Sequence, residues 1–143
     1  MKNNAAKKKD KYMKMKLVYW ISTGLVALLY LGSTAFYVSS YAMVTEMYGG
    51  LGYPAYLVAV LIIAKPLGVA AILSRYSIAL SDLAYAGMFF HLLLAASAHI
   101  NAGDGGFVPA IVGLVALLVS FFTQNSVRKG VSPHAGNRFG ATA

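Results

Sequence analysis

The chain has 143 residues, of which 59% are hydrophobic and 11% charged, with a formal net charge of +8 and no cysteine. A soluble domain carries about 25% charged residues, so a chain this apolar cannot clothe itself in a water-compatible surface and is expected in a membrane. The missing cysteine excludes disulfides, thiolate catalysis and thiolate-held zinc or iron–sulfur centres.

The charge is one-sided. Seven lysines lie between Lys2 and Lys16, opposed only by Asp10, and the remainder of the chain is nearly neutral. A basic run beside an apolar run reads as a topology signal and a contact for anionic head groups, not as a nucleic-acid surface.

After the basic tail (1–16), four segments are long and apolar enough to cross about 30 Å of hydrocarbon. The first, Leu17–Val38, has no charge; the second, Ala55–Leu73, has Lys65 alone. The third, Leu83–Ile100, contains His91 and His99, and the fourth, Phe107–Thr123, has no ionisable group. The separators read as turns: "YGGLGYP" (48–54), "SRYSIALSD" (74–82), whose Ser81 and Asp82 suit the N-cap of the third helix, and "NAGDGG" (101–106). Pro109 falls in the first turn of the fourth helix, where proline is tolerated. The tail 125–143 is rich in Gly, Ser, Asn and Pro and is expected to be disordered.

The predicted fold class is all-α, an integral membrane four-helix bundle over 17–124. With the N-terminus inside, eleven of the twelve Lys and Arg residues fall in cytoplasmic segments and none in the outer loops. The positive-inside rule then puts both termini in the cytoplasm. A cleaved signal peptide is the rival reading, since "STA" (33–35) follows a basic and apolar start. The apolar run continues through Tyr37 and Val38, and removing it leaves an odd number of spans with a weaker charge bias.

The polar residues inside the spans are the candidate site. Lys65 lies near mid-membrane, where a charge costs at least about 2.5–3.5 kcal/mol and must find shelter or a partner. Pro66 frees the carbonyl of Ile62 and predicts a helix kink one turn from Lys65. His91 should lie at the depth of Lys65 if the second and third spans are antiparallel neighbours. His99 is about 12 Å further along the helix, too far to share a metal ion with His91. A stripe of Thr23, Tyr30, Thr34, Tyr37 and Tyr41 runs along the first span, with Tyr30 near the depth of Lys65. No other span has an acid, so Glu46 is the candidate counter-charge if its loop folds into the bundle mouth. Small residues (Ala64, Gly68 and Ala71; Ala84, Gly87, Ala95 and Ala98) allow close helix approach. Each polar group also has a purely structural reading: histidines satisfied by carbonyls, tyrosines as packing, Lys65 as a structural donor.

The ordered pieces "LVYW" (17–20), "LGYPAYL" (51–57), "IIAKPLG" (62–68), "SDLAYAGMFFHLLLAASAH" (81–99) and "GD" (103–104) resemble the DoxX-like family of small membrane proteins. The resemblance covers roughly 17–124. It implies a four-helix bundle in the bacterial cytoplasmic membrane, and members linked to quinone-dependent oxidoreductases. Family sequences commonly place an acid–aromatic pair before "AYAG", where this chain has Asp82-Leu83, and many have aspartate at the position of His91.

Three functions follow as expectations. The first is a quinone-linked redox accessory: Lys65, Tyr30 and His91 would donate hydrogen bonds to a quinone, and a membrane or peripheral redox partner would carry the electrons, since the chain has no cofactor site of its own. The second is a proton or small-solute pathway, which needs copies of the chain to associate. The third is a structural or assembly role. No nucleophile–base pair, phosphate loop or metal spacing is present in the sequence.

Overall fold

A computed structural model describes residues 2–128 and 130–135. Among these the chain is all-helical: α1 (Lys2–Ser39), α2 (Tyr41–Gly50), α3 (Tyr56–Ser74), α4 (Ile78–Ala102), α5 (Phe107–Thr123) and a closing 3-10 turn, Gln124–Ser126. Four helices are long and apolar enough to cross a membrane.

Each long helix buries one stripe at helical spacing. On α1 it is Tyr19, Ser22, Thr23, Val26 and Tyr30; on α3, Val58, Lys65, Val69 and Ile72; on α4, Ser81, Tyr85, Met88, Leu92 and Ala96; on α5, Ala110, Gly113, Ala116, Leu117 and Ser120. Steps of three and four keep a stripe on one face. The opposite faces stay apolar and exposed, with Ile21 and Leu28 on α1, Ile63 and Leu67 on α3, Leu83 and Phe90 on α4, and Val115 and Phe122 on α5. A helix apolar on both faces belongs in lipid, where the outer face meets hydrocarbon.

The stripes meet in a ring. α1 packs on α3 and α5, and α4 packs on α3 and α5. Every adjacent pair is antiparallel, as cross-contacts show. Thr23 meets Ser120, a Cβ on Gly113 would lie 3.5 Å from Leu29, Ser81 reaches the Ala71 carbonyl, and Lys65 reaches Ser33. The ring therefore has two ends. One, the basic end, carries the start of α1, the α3–α4 turn with Arg75, and the segment after α5. The other, the loop end, carries α2 and the 103–106 turn.

Three expectations change. The separator before the second span is not a turn alone: residues 41–50 form α2, and only 51–55 turn back. Its glycine-rich sequence hid a helix whose Val44 is buried. The N-cap of α4 is Ser77, whose Oγ accepts from Leu80 N at 3.3 Å. Ser81 and Asp82 lie inside the helix and use their oxygens elsewhere.

The third change is the tail. Against the disorder expected from 125 on, the described residues 125–128 and 130–135 fold onto the basic end. Ser132 is 1% exposed, its Oγ donates to Asp82 Oδ2 at 2.6 Å, and its backbone N–H donates to Asn125 Oδ1 at 2.9 Å. Residues 129 and 136–143 of that tail lie outside the described residues. The basic segment before residue 17 is helical too, continuous with α1.

Candidate functional site

Lys65 is the tenth of nineteen residues of α3 and stands in its buried stripe, 4% exposed. α3 runs as one helix from Tyr56 to Ser74 with Pro66 inside it. The Lys65 ammonium does not turn to the carbonyl that Pro66 frees. It reaches across to α1, where Nζ donates to Ser33 Oγ at 3.1 Å and lies 3.6 Å from the centre of the Tyr37 ring. Ser33 and Tyr37 are four residues apart, so one α1 face supplies both contacts. Ser33 Oγ in turn donates to the Tyr30 carbonyl at 3.0 Å. The Tyr37 hydroxyl pairs with that of Tyr48 on α2 at 2.8 Å. Burial, and then its bond with Tyr37, push the Tyr48 phenol above its ordinary value, so it stays protonated.

Tyr30 and His91 form a second group. The Tyr30 hydroxyl lies 3.1 Å from the Met88 carbonyl and 3.1 Å from His91 Nδ1, and the two rings meet edge-on with centres 5.6 Å apart. A hydroxyl has one hydrogen, and a carbonyl only accepts. Both contacts are satisfied when Tyr30 donates to Met88 and accepts from a proton on His91 Nδ1. Neutral His91 then has its unprotonated Nε2 free of hydrogen bonds among the described residues.

His99 stands apart at the loop end. Its Nδ1 meets Asp104 Oδ2 at 2.8 Å, and Asp104 also accepts the Gly106 N–H at 2.8 Å. The Gly106 N–H and, after it, the His99 ring hold this exposed carboxyl below the usual carboxylate range. Glu46, the expected counter-charge, is exposed on α2 and makes no contact with Lys65. The structure thus brings Lys65, Tyr30 and His91 to one region and leaves His99 and Glu46 at its rim. The hydrogen bonds form separate groups: the Lys65 group and the His91 group touch through the backbone carbonyl of Tyr30, which cannot pass a proton.

Around these groups the loop half of the ring is hollow. One cavity of about 440 Å³ lies among α1, α4 and α5 and reaches Lys65, Ser33, Tyr30 and His91; exposed Leu28 and Gly32 stand at its edge. A second, of about 400 Å³, lies under α2 between α3 and α4, with Tyr48, Leu57, Leu61 and Leu94 in its wall. Phe36, Tyr37, His91, Ala95 and His99 border both. Gly87, expected to bring helices into contact, lines the second cavity and faces no atom within 4 Å. Gly68 does serve contact, since a Cβ there would lie 2.8 Å from Met88 Cε.

The sequence reading missed Ser33 and Tyr48. Ser33 sits one residue from the polar stripe and its role depends on how α1 and α3 are aligned. Tyr48 acts only because 41–50 is a helix.

A ring of long helices with apolar outer faces and a polar group sealed at mid-length defines an all-helical, multi-pass membrane protein. The chain belongs to the DoxX-like family, whose model matches residues 21–122. No curated protein and no solved structure matches it.

Proposed function

We propose that the hollow half holds a lipid-soluble molecule whose oxygen meets Lys65, that the molecule is a quinone, and that the protein serves as an accessory subunit of a redox assembly in the bacterial cytoplasmic membrane. The observation that carries this reading is the pairing of one buried ammonium with an apolar cavity bordered by lipid-facing residues. A ligand oxygen is a good acceptor for a donor that, among the described residues, Ser33 and the Tyr37 ring face alone engage. Apolar walls suit a ring and an isoprenoid chain. The electron-transfer centre is assigned to a membrane or peripheral partner.

The orientation follows the charges. Seven N-terminal lysines, Arg75 and Arg128 gather at the basic end, while residues 40–55 and 100–107 contain no Lys or Arg. This supports both termini in the cytoplasm and the hollow half toward the outer leaflet. Reporter fusions at either terminus, active on the cytoplasmic side only, test the orientation.

The ligand is tested by purifying the protein in native-lipid discs and quantifying extracted quinone against the bulk lipid. Enrichment is expected, and Lys65→Met should lower it roughly tenfold, the value of one hydrogen bond from a charged donor. Quinone at the bulk ratio, unchanged by the substitution, sinks the reading.

A further inference from the structure

Among the described residues no carboxylate opposes the positive charge of Lys65. The sequence holds four acidic residues, and each is placed elsewhere. Asp10 pairs with Lys14 at 2.9 Å in the exposed part of α1. Asp82 accepts from Gln124 at 3.3 Å and from Ser132 at 2.6 Å at the basic end. Asp104 holds His99 and the Gly106 N–H, and Glu46 is exposed on α2. No carboxylate among the described residues stands within salt-bridge distance of Lys65 Nζ.

The ammonium has three N–H donors and uses one, on Ser33 Oγ. The Tyr37 ring face offers a quadrupole, which attracts a cation without neutralising it. A buried cation supplied with so little is costly unless a counter-charge arrives. Lys65 borders the 440 Å³ cavity, so there is room for that charge to arrive on a ligand.

We propose that the ligand of the hollow half carries a negatively charged oxygen on an apolar body, with the oxyanion on Lys65 and the body against the leucines and phenylalanines of the cavity walls. This rests on reading the hollow half as a binding site, and it adds the charge of the occupant. His91 completes the selection. Its Nε2, left without a hydrogen-bond partner among the described residues, can only accept, so it adds a contact where the ligand carries a hydroxyl beside its charged oxygen, whereas an ionised carboxylate engages Lys65 alone.

Two sources offer this chemistry: the carboxylate of a fatty acid and the ionised hydroxyl of a hydroxyquinone or quinol. The experiment uses the full chain in lipid discs. Binding of dodecanoate is compared with dodecanol and methyl dodecanoate, and binding of an alkyl hydroxynaphthoquinone with its methyl ether, at a pH where both acids are ionised. The acids are expected to bind tenfold or more tightly than their neutral counterparts, Lys65→Met should erase the difference, and Lys65→Arg should keep most of it. Which acid wins identifies the source. The wild-type comparison alone tests the charge if the methionine variant fails to fold. Equal binding of acids and neutral counterparts overturns the charge inference and leaves a neutral-ligand site standing. Failure of every probe, a neutral quinone included, overturns the binding site itself.

Discussion

The basic half and the loop half of this molecule are built from the same helices, yet they differ in how many polar side chains bond one another across helices. In the basic half polar side chains bond one another across helices. Ser120 Oγ meets Thr23 Oγ1 at 2.6 Å and the Tyr85 hydroxyl at 2.7 Å, joining α1, α4 and α5. Asp82 ties α4 to Gln124 and to Ser132. In the loop half Lys65 and His91 stand beside open volume with bonding capacity to spare. Lipid supplies no hydrophobic drive for helix association, so packing and interhelical hydrogen bonds hold a membrane bundle together. The basic half concentrates those bonds beside a cavity of about 310 Å³ lined mainly by Phe89, Leu117 and Phe121. The loop half can then hold the two larger cavities, with Lys65 and His91 in their walls, without the ring falling apart.

Five substitutions break or sharpen the contrast. The largest effect is expected from Asp82→Ala. It leaves Gln124 Nε2 and Ser132 Oγ without their acceptor and should cost about 3 kcal/mol. It should also release residues 125–135 to protease, read by limited proteolysis of discs. Next come two insertions of identical size. Ala116→Leu overpacks the buried core around Leu117 and should cost about 1–3 kcal/mol, whereas Ala95→Leu points into the two cavities and should cost under about 1 kcal/mol while displacing bound ligand. Equal thermal shifts for the two would abolish the distinction between the tightly packed α5 stripe at Ala116 and the cavity wall at Ala95. Ser120→Ala should lower stability by about 0.6–1.7 kcal/mol, the range for interhelical bonds in bundles of this kind.

The smallest effect concerns the rim. The folded Asp104 carboxyl titrates below its unfolded value of about 4. Its contribution is therefore complete above that pH and disappears as pH falls through the lower folded value. Protection of the Gly106 amide, measured against its intrinsic exchange rate at each pH, should fall on acidification through that window while protection at the centre of α5 is kept. Gly106→Ala should mimic the loss at neutral pH, because a Cβ there would lie 2.5 Å from His99 Nδ1 and force the ring off Asp104.

Much of the fold was legible because it is periodic. The expected fourth span, Phe107–Thr123, coincides with α5, and the second, Ala55–Leu73, is displaced by one residue from α3. The illegible parts depended on tertiary contact. α2 carries Gly49 and Gly50 and reads as a turn until Val44 finds its burial against the bundle. The segment after α5 has a disordered composition, but Asn125 and Asp82 supply the acceptors that hold Ser132. Within the site, Lys65 and His91 announced themselves by being ionisable in apolar runs. Ser33 did not, because a serine in a helix is unremarkable without knowing that α3 places an ammonium opposite it.

The unbroken course of α1 fixes where its lysines act. Thirty-eight residues span about 57 Å, against roughly 30 Å of hydrocarbon. With Ser39 at the loop end, the surplus stands above the opposite surface as a rigid post. Attraction to lipid phosphates fades over about 8–10 Å of saline. Lys14 and Lys16, at the foot of the post, are close enough to grip the bilayer. Lys7, Lys8 and Lys9 ride one to two helical turns higher, beyond the pull of the lipid beneath.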